Sequence, residues 1–222
     1  MNNFKELQGL KYPDEYFTKF FYKNKLQEKK NLKYLEFGCG NGSNLMLPYQ
    51  YGNDVIGVDY DDSLIESANH NFNLLGKENF SFYADDMRSY IKNTKDIKAD
   101  VFILASIIYY ISKNDFIKFL LDAVENKNLN KNIPFYIRVR SVKDFRYGYG
   151  ECIGKNRYKL PSNSITGESN AEIEFYTESE ILDILKKYLN ISKYEIFHLD
   201  NQNNHNGNII LNSDIVIWGT IN

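Results

Sequence analysis

The residues with the most chemical potential in this 222-residue chain lie in the run Leu35-Glu36-Phe37-Gly38-Cys39-Gly40-Asn41-Gly42-Ser43. Glycines at alternate positions let the backbone turn sharply and let a ligand come close to it. A dinucleotide loop would read G-x-G-x-x-G, and its third glycine would fall where this chain has Ser43. Glu36 stands two residues ahead of the glycines. A carboxylate there repels a pyrophosphate and suits a ligand that carries an ammonium group. Asp59 follows Gly38 by 21 residues, the usual place for an acid that accepts both hydroxyls of a ribose. Asp86, in Tyr83-Ala84-Asp85-Asp86-Met87-Arg88, is placed to accept an exocyclic amine from a purine, with the next backbone N–H meeting a ring nitrogen. Register favours Asp86 over Asp85. Cys39 is read as a small loop side chain and not as a nucleophile.

These residues need strands and helices to hold them. Apolar runs predict strands at 31–37, 54–59, 80–83, 100–105 and 133–140. Helices are expected at 43–51, where Pro48 invites a kink or an early end, from Ser63 with Glu66 as a capping box, and at 112–125. In the last, Phe116, Ile117, Phe119, Leu120 and Val124 should face inward. Alternation of this kind implies right-handed crossovers and a parallel sheet. It breaks at 141–176, a long stretch without period, read as an insertion and lid that binds the acceptor. Thr177 and Glu180 form a second capping box opening a helix to Leu189. Strands at 191–199 and 214–221 flank a polar linker and should pair as a hairpin. The aromatics from Phe4 to Tyr22 sit at helical spacing, so residues 1–30 are expected to form a helical cap over the core.

An amine, a ribose and an adenine without a phosphate describe S-adenosylmethionine (SAM). At these residues the chain resembles the class I SAM-dependent methyltransferases of small stand-alone bacterial type. The resemblance covers about residues 30–140 and extends to the C-terminal strand pair. It implies an α/β fold over one domain, 1–222: a Rossmann-like, doubly wound seven-stranded sheet of order 3-2-1-4-5-7-6, strand seven antiparallel, with helices on both faces. It implies SAM as cofactor, S-adenosylhomocysteine as product, and no metal. By position it implies Glu36 and Gly38 beside the amino acid moiety, with Gly40 and Gly42 completing the loop. It further implies Asp59 on the ribose, Tyr60 beside the adenine, Asp86 and the Met87 backbone against the adenine, and Ala105 and Ser106 near the methionine amine.

The acceptor leaves a fainter imprint, because the donor is already activated and the protein mainly positions a nucleophile. Only five residues are arginine, and Arg138, Arg140, Arg146 and Arg157 fall within twenty positions. Arg138 and Arg140 share one face of their strand. Arginine forks suit phosphate or carboxylate, so an anionic, phosphorylated or nucleotide-linked small molecule is expected, methylated on oxygen. Pairing of these arginines with Asp144, Glu151, Glu172 and Glu174 is the alternative. Tyr109 and Tyr110 are expected to line the pocket, or to pack in the core. His198 and His205 could act as bases, although a structural or exposed role is favoured for each. By analogy with small family members, the acceptor could be a capsular sugar or its phosphoramidate modification. A non-catalytic SAM-binding module, and a methyltransferase acting on protein or RNA, are the competing functions. An NAD-dependent oxidoreductase is disfavoured by the glycine spacing.

Composition agrees with an ordinary folded domain: 43% hydrophobic and 25% charged residues, with a net charge of −2. That charge supplies no basic field for nucleic acid. No apolar run reaches the ~20 residues of a membrane span, and the N-terminus lacks a secretory layout. Two cysteines and three histidines make no metal cluster or disulfide framework. A cytoplasmic monomer or homodimer is expected. The 28 asparagines read as an AT-rich coding bias.

Overall fold

The computed structural model describes residues 4–76 and 78–222. Helix α1 (Glu15–Lys23) precedes strand β1 (Lys33–Phe37). Then come α2 (Met46–Gln50), β2 (Asp54–Asp59), α3 (Asp62–Leu75), β3 (Phe80–Ala84), α4 (Met87–Asn93), β4 (Val101–Ala105), α5 (Lys113–Glu125) and β5 (Ile133–Arg140). A smaller unit holds β6 (Glu151–Gly154), β7 (Arg157–Lys159) and β8 (Glu172–Glu174). The chain ends with α6 (Glu178–Leu189), β9 (Ile191–His205) and β10 (Asn208–Ile221).

The main sheet runs β3-β2-β1-β4-β5-β10-β9. Its first five strands are parallel, and β10 is antiparallel to both neighbours. Since β9 and β10 are the sixth and seventh strands of this sheet, the order is the expected 3-2-1-4-5-7-6. Strand order reverses between β1 and β4, so a crevice opens beyond their carboxyl ends. Period two assigns each strand to two layers. In β1, Leu35 and Phe37 pack with Phe102, Phe119 and Leu185 on one face. Tyr34 packs with Phe17, Phe20 and Val101 on the other. Phe17, Phe20 and Phe21 of α1 are wholly buried, each contributing about 2 kcal/mol or more by apolar burial. The aromatic N-terminal segment thus caps one face of the sheet, while Tyr12 and Tyr22 remain exposed. Residues 1–3 and the Phe4 side chain lie outside the described part of that expected cap.

Several boundaries differ from expectation for local reasons. The 43–51 helix shrinks to α2, with Pro48 in its first turn, where a missing N–H does no harm. The cap of α3 is Asp61, whose carboxylate accepts from the Ser63 and Leu64 N–H groups, so Ser63 is not the cap. Val124 is exposed on α5, and Ala123 takes the inward place. Helix α4, too short to show a period, was not expected. The polar linker of 201–208 is itself strand on both sides of a reversal at Asn206 (φ 51°) and Gly207 (φ 90°). Two successive left-handed residues are what a tight two-residue hairpin turn requires. The 141–176 stretch is not structureless, since β6-β7-β8 form an antiparallel sheet within it.

The expected capping box at α6 is present in full, the Thr177 side chain accepting from Glu180 N–H and Glu180 reaching back to Thr177 N–H. Thr177→Ala should therefore lower stability by about 1 kcal/mol. A melting-temperature shift of a few degrees in calorimetry checks this. Among the described residues, no helix is long and apolar enough to cross a membrane.

Candidate functional site

The crevice is a cleft of about 290 Å³ lined by Leu10, Tyr12, Pro13, Asp14, the 36–44 loop, Ala105 and Ser106. β1 delivers Glu36 to its floor. The loop then turns through Gly38 (φ 69°), Gly40 (φ 53°) and Gly42 (φ 78°). Two of these glycines are needed for protein packing. A Cβ on Gly38 would meet Ile107 at 2.6 Å, and one on Gly42 would meet Phe72 at 2.8 Å. Gly40 differs, since nothing lies within 4 Å of its Cβ position. That flank faces open cleft.

Glu36 is buried and only half satisfied. Its Oε1 accepts from Asn44 Nδ2 at 2.7 Å, and its Oε2 has no hydrogen-bond partner. Burial pushes its pKa up to about 8; the Asn44 hydrogen bond opposes this, and repulsion from Asp59 and Asp14 adds to it. A cation brought to Oε2 would supply the missing partner. Asn44 also accepts the Asp14 N–H at 2.8 Å, which ties the floor of the cleft to the cap of α1. Asn41 Nδ2 donates to the Gln8 and Leu10 carbonyls, both at 2.7 Å, and holds the N-terminal segment over the loop. Sequence reading missed Asn41, Asn44 and Asp14. The signal for the two asparagines was the N-G-S-N run of 41–44, and Asp14, 30 residues from Asn44, had none.

Asp59 ends β2. Its Oδ2 accepts the Gly40 N–H at 2.9 Å and its Oδ1 the Asp61 N–H at 3.1 Å. Each oxygen keeps a further lone pair for a ligand. Tyr60 beside it is 76% exposed. Asp86 stands otherwise than expected. Its carboxylate caps α4 through the Arg88 N–H at 2.8 Å and grips the Arg88 guanidinium at 2.6 Å. Those bonds, the side-chain pair first, hold it below the usual carboxylate range. Asp85, by contrast, has no side-chain hydrogen bond among the described residues, and its N–H donates to the Asp59 carbonyl at 2.9 Å. The free carboxylate after β3 is thus Asp85. The Met87 side chain is in the core, leaving its backbone at the start of α4. Ser106 lines the cleft in the left-handed region (φ 62°), a costly conformation for serine, fixed by its N–H on the Arg138 carbonyl at 3.2 Å. Cys39 is buried, and burial with the nearby Glu36 and Asp59 pushes its thiol pKa up, which disfavours a thiolate.

The arginines do not form a free cluster. Arg138 is held by Asp14 at 2.6 Å and Asp214 at 2.5 Å. Arg157 pairs with Glu172 at 2.9 Å. Arg146 pairs with Asp144 at 2.8 Å and, through Nε, with Glu168 at 2.6 Å. Arg140 reaches Glu168 at 3.2 Å and lies over the Tyr109 ring, 4.5 Å from its centre. Tyr110 donates to Glu168 at 3.1 Å. Burial opposes charge on Glu168, but Arg140 and Arg146 outweigh it and hold its carboxyl below the usual range. Of the two readings of these arginines, pairing is the one seen, with Asp144 and Glu172 among the partners expected for it. Asp14 and Asp214, far away in sequence, are brought to them by α1 and β10, and Glu168 by the insertion. His198 bonds Glu178 at 2.8 Å on the surface, and His205 is exposed near the hairpin tip. Among the described residues, no group of three His, Cys, Asp or Glu could hold a metal ion.

Residues 28–135 match the sequence model of a methyltransferase domain family. A search of curated proteins finds no match. Solved structures share the fold at low identity. A SAM-dependent methyltransferase from Methanosarcina mazei aligns over 87% of this chain and 95% of its own, with a TM-score of 0.62 and 16% identity. A methyltransferase-like protein from Bacillus halodurans aligns over 92% and 97%, with a TM-score of 0.64 and 12% identity. Magnesium protoporphyrin IX methyltransferase from Synechocystis PCC 6803, solved with bound SAM, aligns over 91% and 76%, with a TM-score of 0.54 and 14% identity. Residues 28–135 are thus matched as a methyltransferase domain, and the sheet order and glycine loop around them are those implied by the resemblance to the class I SAM-dependent methyltransferases.

Proposed function

We propose that this chain transfers a methyl group from SAM to a small-molecule acceptor that enters at the Ser106 end of the cleft. The observation that carries the reading is the buried Glu36 carboxylate with one unpartnered oxygen, set beside the open flank of Gly40. The first is a receptor for an ammonium group, and the second is a backbone that a ligand can touch. Bound SAM would supply a methyl group already activated by its sulfonium charge. The chain's own residues then hold the donor. Glu36, steadied by Asn44, would take the ammonium, and Asp59 the ribose hydroxyls. Asp85 would accept the adenine amine in place of Asp86, whose carboxylate is engaged, while the Met87 N–H would meet the ring. Leu10, Tyr12, Pro13 and Asp14, which line the cleft, would cover the methionine end. Methyl transfer from a sulfonium needs alignment more than a strong base, which suits a cleft without a free histidine.

Calorimetry with S-adenosylhomocysteine tests this. Micromolar or tighter binding is expected. Asp59→Ala should weaken it by roughly 50-fold, since it removes charge-assisted bonds to the ribose and the support of Gly40 N–H. Absence of binding by the wild-type protein sinks the proposal. Turnover of labelled SAM against a panel of small acceptors separates an enzyme from a silent binding module.

A further inference from the structure

We propose that Arg140, Arg146 and Tyr110 form a subsite for a carboxylate of the methyl acceptor, in which Glu168 stands until the acceptor replaces it. The proposal rests on the methyl-transfer reading of the adjoining cleft. Donors from separate elements converge on the Glu168 carboxylate. Arg146 Nε lies at 2.6 Å, Thr166 Oγ1 at 3.0 Å, Tyr110 OH at 3.1 Å, and Arg140 Nη1 at 3.2 Å. Both arginines are buried. Thr166 belongs to the loop that carries Glu168, but two guanidinium groups and the Tyr110 hydroxyl come from elsewhere, and such donors around one carboxylate are what a recognition site for a planar oxyanion contains.

Charge balance shows that Glu168 is replaceable. Arg138, Arg140 and Arg146 already face Asp14, Asp144 and Asp214. Glu168 is a fourth acid against three bases, so an outside carboxylate can take its place without leaving a buried positive charge. Arg140 retains spare capacity as well. Its buried Nε has no hydrogen-bond partner, the Asp214 oxygen lying 4.0 Å away. Glu168 also comes from a segment that can yield. The backbone bonds of this loop are local: Ser164 N–H to Pro161, Gly167 N–H to Ser164, Asn170 N–H to Pro161, and Ala171 N–H to Glu168 itself. The subsite adjoins the methyl end of the cleft. Tyr110 is one turn beyond Ser106, and Arg140 is two residues beyond Arg138, whose carbonyl holds the Ser106 N–H.

The test uses acetate as the probe, with chloride at equal ionic strength as the control. A tethered carboxylate competes at an effective concentration on the order of millimolar. Glu168→Gln removes this competitor while keeping its shape, so acetate should bind the variant at least tenfold more tightly than the wild type. Adding Arg146→Met should abolish that gain. In the wild type, saturating acetate but not chloride should speed hydrogen exchange in residues 161–170 several-fold. Equal acetate affinity in wild type and variant overturns the subsite. If the variant fails to fold, the exchange measurement decides alone, and no acetate-specific acceleration overturns it. S-adenosylhomocysteine affinity in the same samples keeps the two readings apart. Its absence in the wild type strikes methyl transfer, and its presence without an acetate effect strikes the subsite.

Discussion

S-adenosylhomocysteine should bind about tenfold more tightly for each pH unit gained between roughly pH 5 and 7, and most tightly near pH 8. The cause is Glu36. Its carboxyl, raised to about 8 mainly by burial, is protonated in the ligand-free protein through that range. An ammonium group needs the ionised form, so binding must expel one proton, and one proton is a tenfold change per unit. Well above pH 8 the ligand's own amine loses its charge and affinity falls again. Glu36→Gln should flatten the profile and weaken binding at pH 8 by roughly 30-fold or more, the usual loss on removing one partner of a buried charge pair. Stability should move the other way. A carboxyl with a folded pKa near 8 and an unfolded one near its ordinary 4.5 binds more protons when folded. The ligand-free protein therefore loses stability as pH rises through that window. Glu36→Gln should remove the slope and melt higher at pH 8, because it deletes a buried charge. A pH-independent affinity in the wild type would show that Glu36 does not meet the ammonium.

Gly40→Val should abolish donor binding while leaving the fold in place. No protein atom lies within 4 Å of a Cβ there, so the first added carbon meets no neighbour, and the left-handed φ of 53° adds strain. That strain costs on the order of 1–2 kcal/mol. The new side chain projects into the cleft where the ligand backbone contact is expected, and affinity for S-adenosylhomocysteine should fall at least 100-fold. Gly38→Ala makes the contrast, since its Cβ would lie 2.6 Å from Ile107. It should destabilise the protein by about 1–3 kcal/mol through overpacking. Calorimetry and a melting curve on the same two variants separate the effects. Wild-type affinity in Gly40→Val would place the ligand elsewhere.

The order of the sheet was implied only by the family resemblance, but the strand–helix alternation and the acids at the ends of β1 and β2 were legible along the chain. They are local, since apolar period, glycine spacing and capping residues act within a few positions of themselves. The Thr177 capping box was read for the same reason, while the Asp61 cap was missed because a competing box lay two residues further on. What the acids and arginines are free to do was not legible. Asp86 and Asp85 differ in sequence only by one place, yet a helix start and Arg88 engage the first and leave the second open. Arg138 reads as a free fork until α1 and β10 carry Asp14 and Asp214 to it across 124 and 76 residues. Sequence determined which charges exist and on which faces they begin. Tertiary structure alone decided which remain unpaired, because Coulomb and hydrogen-bond energies depend on distances of a few ångströms between groups the chain holds far apart.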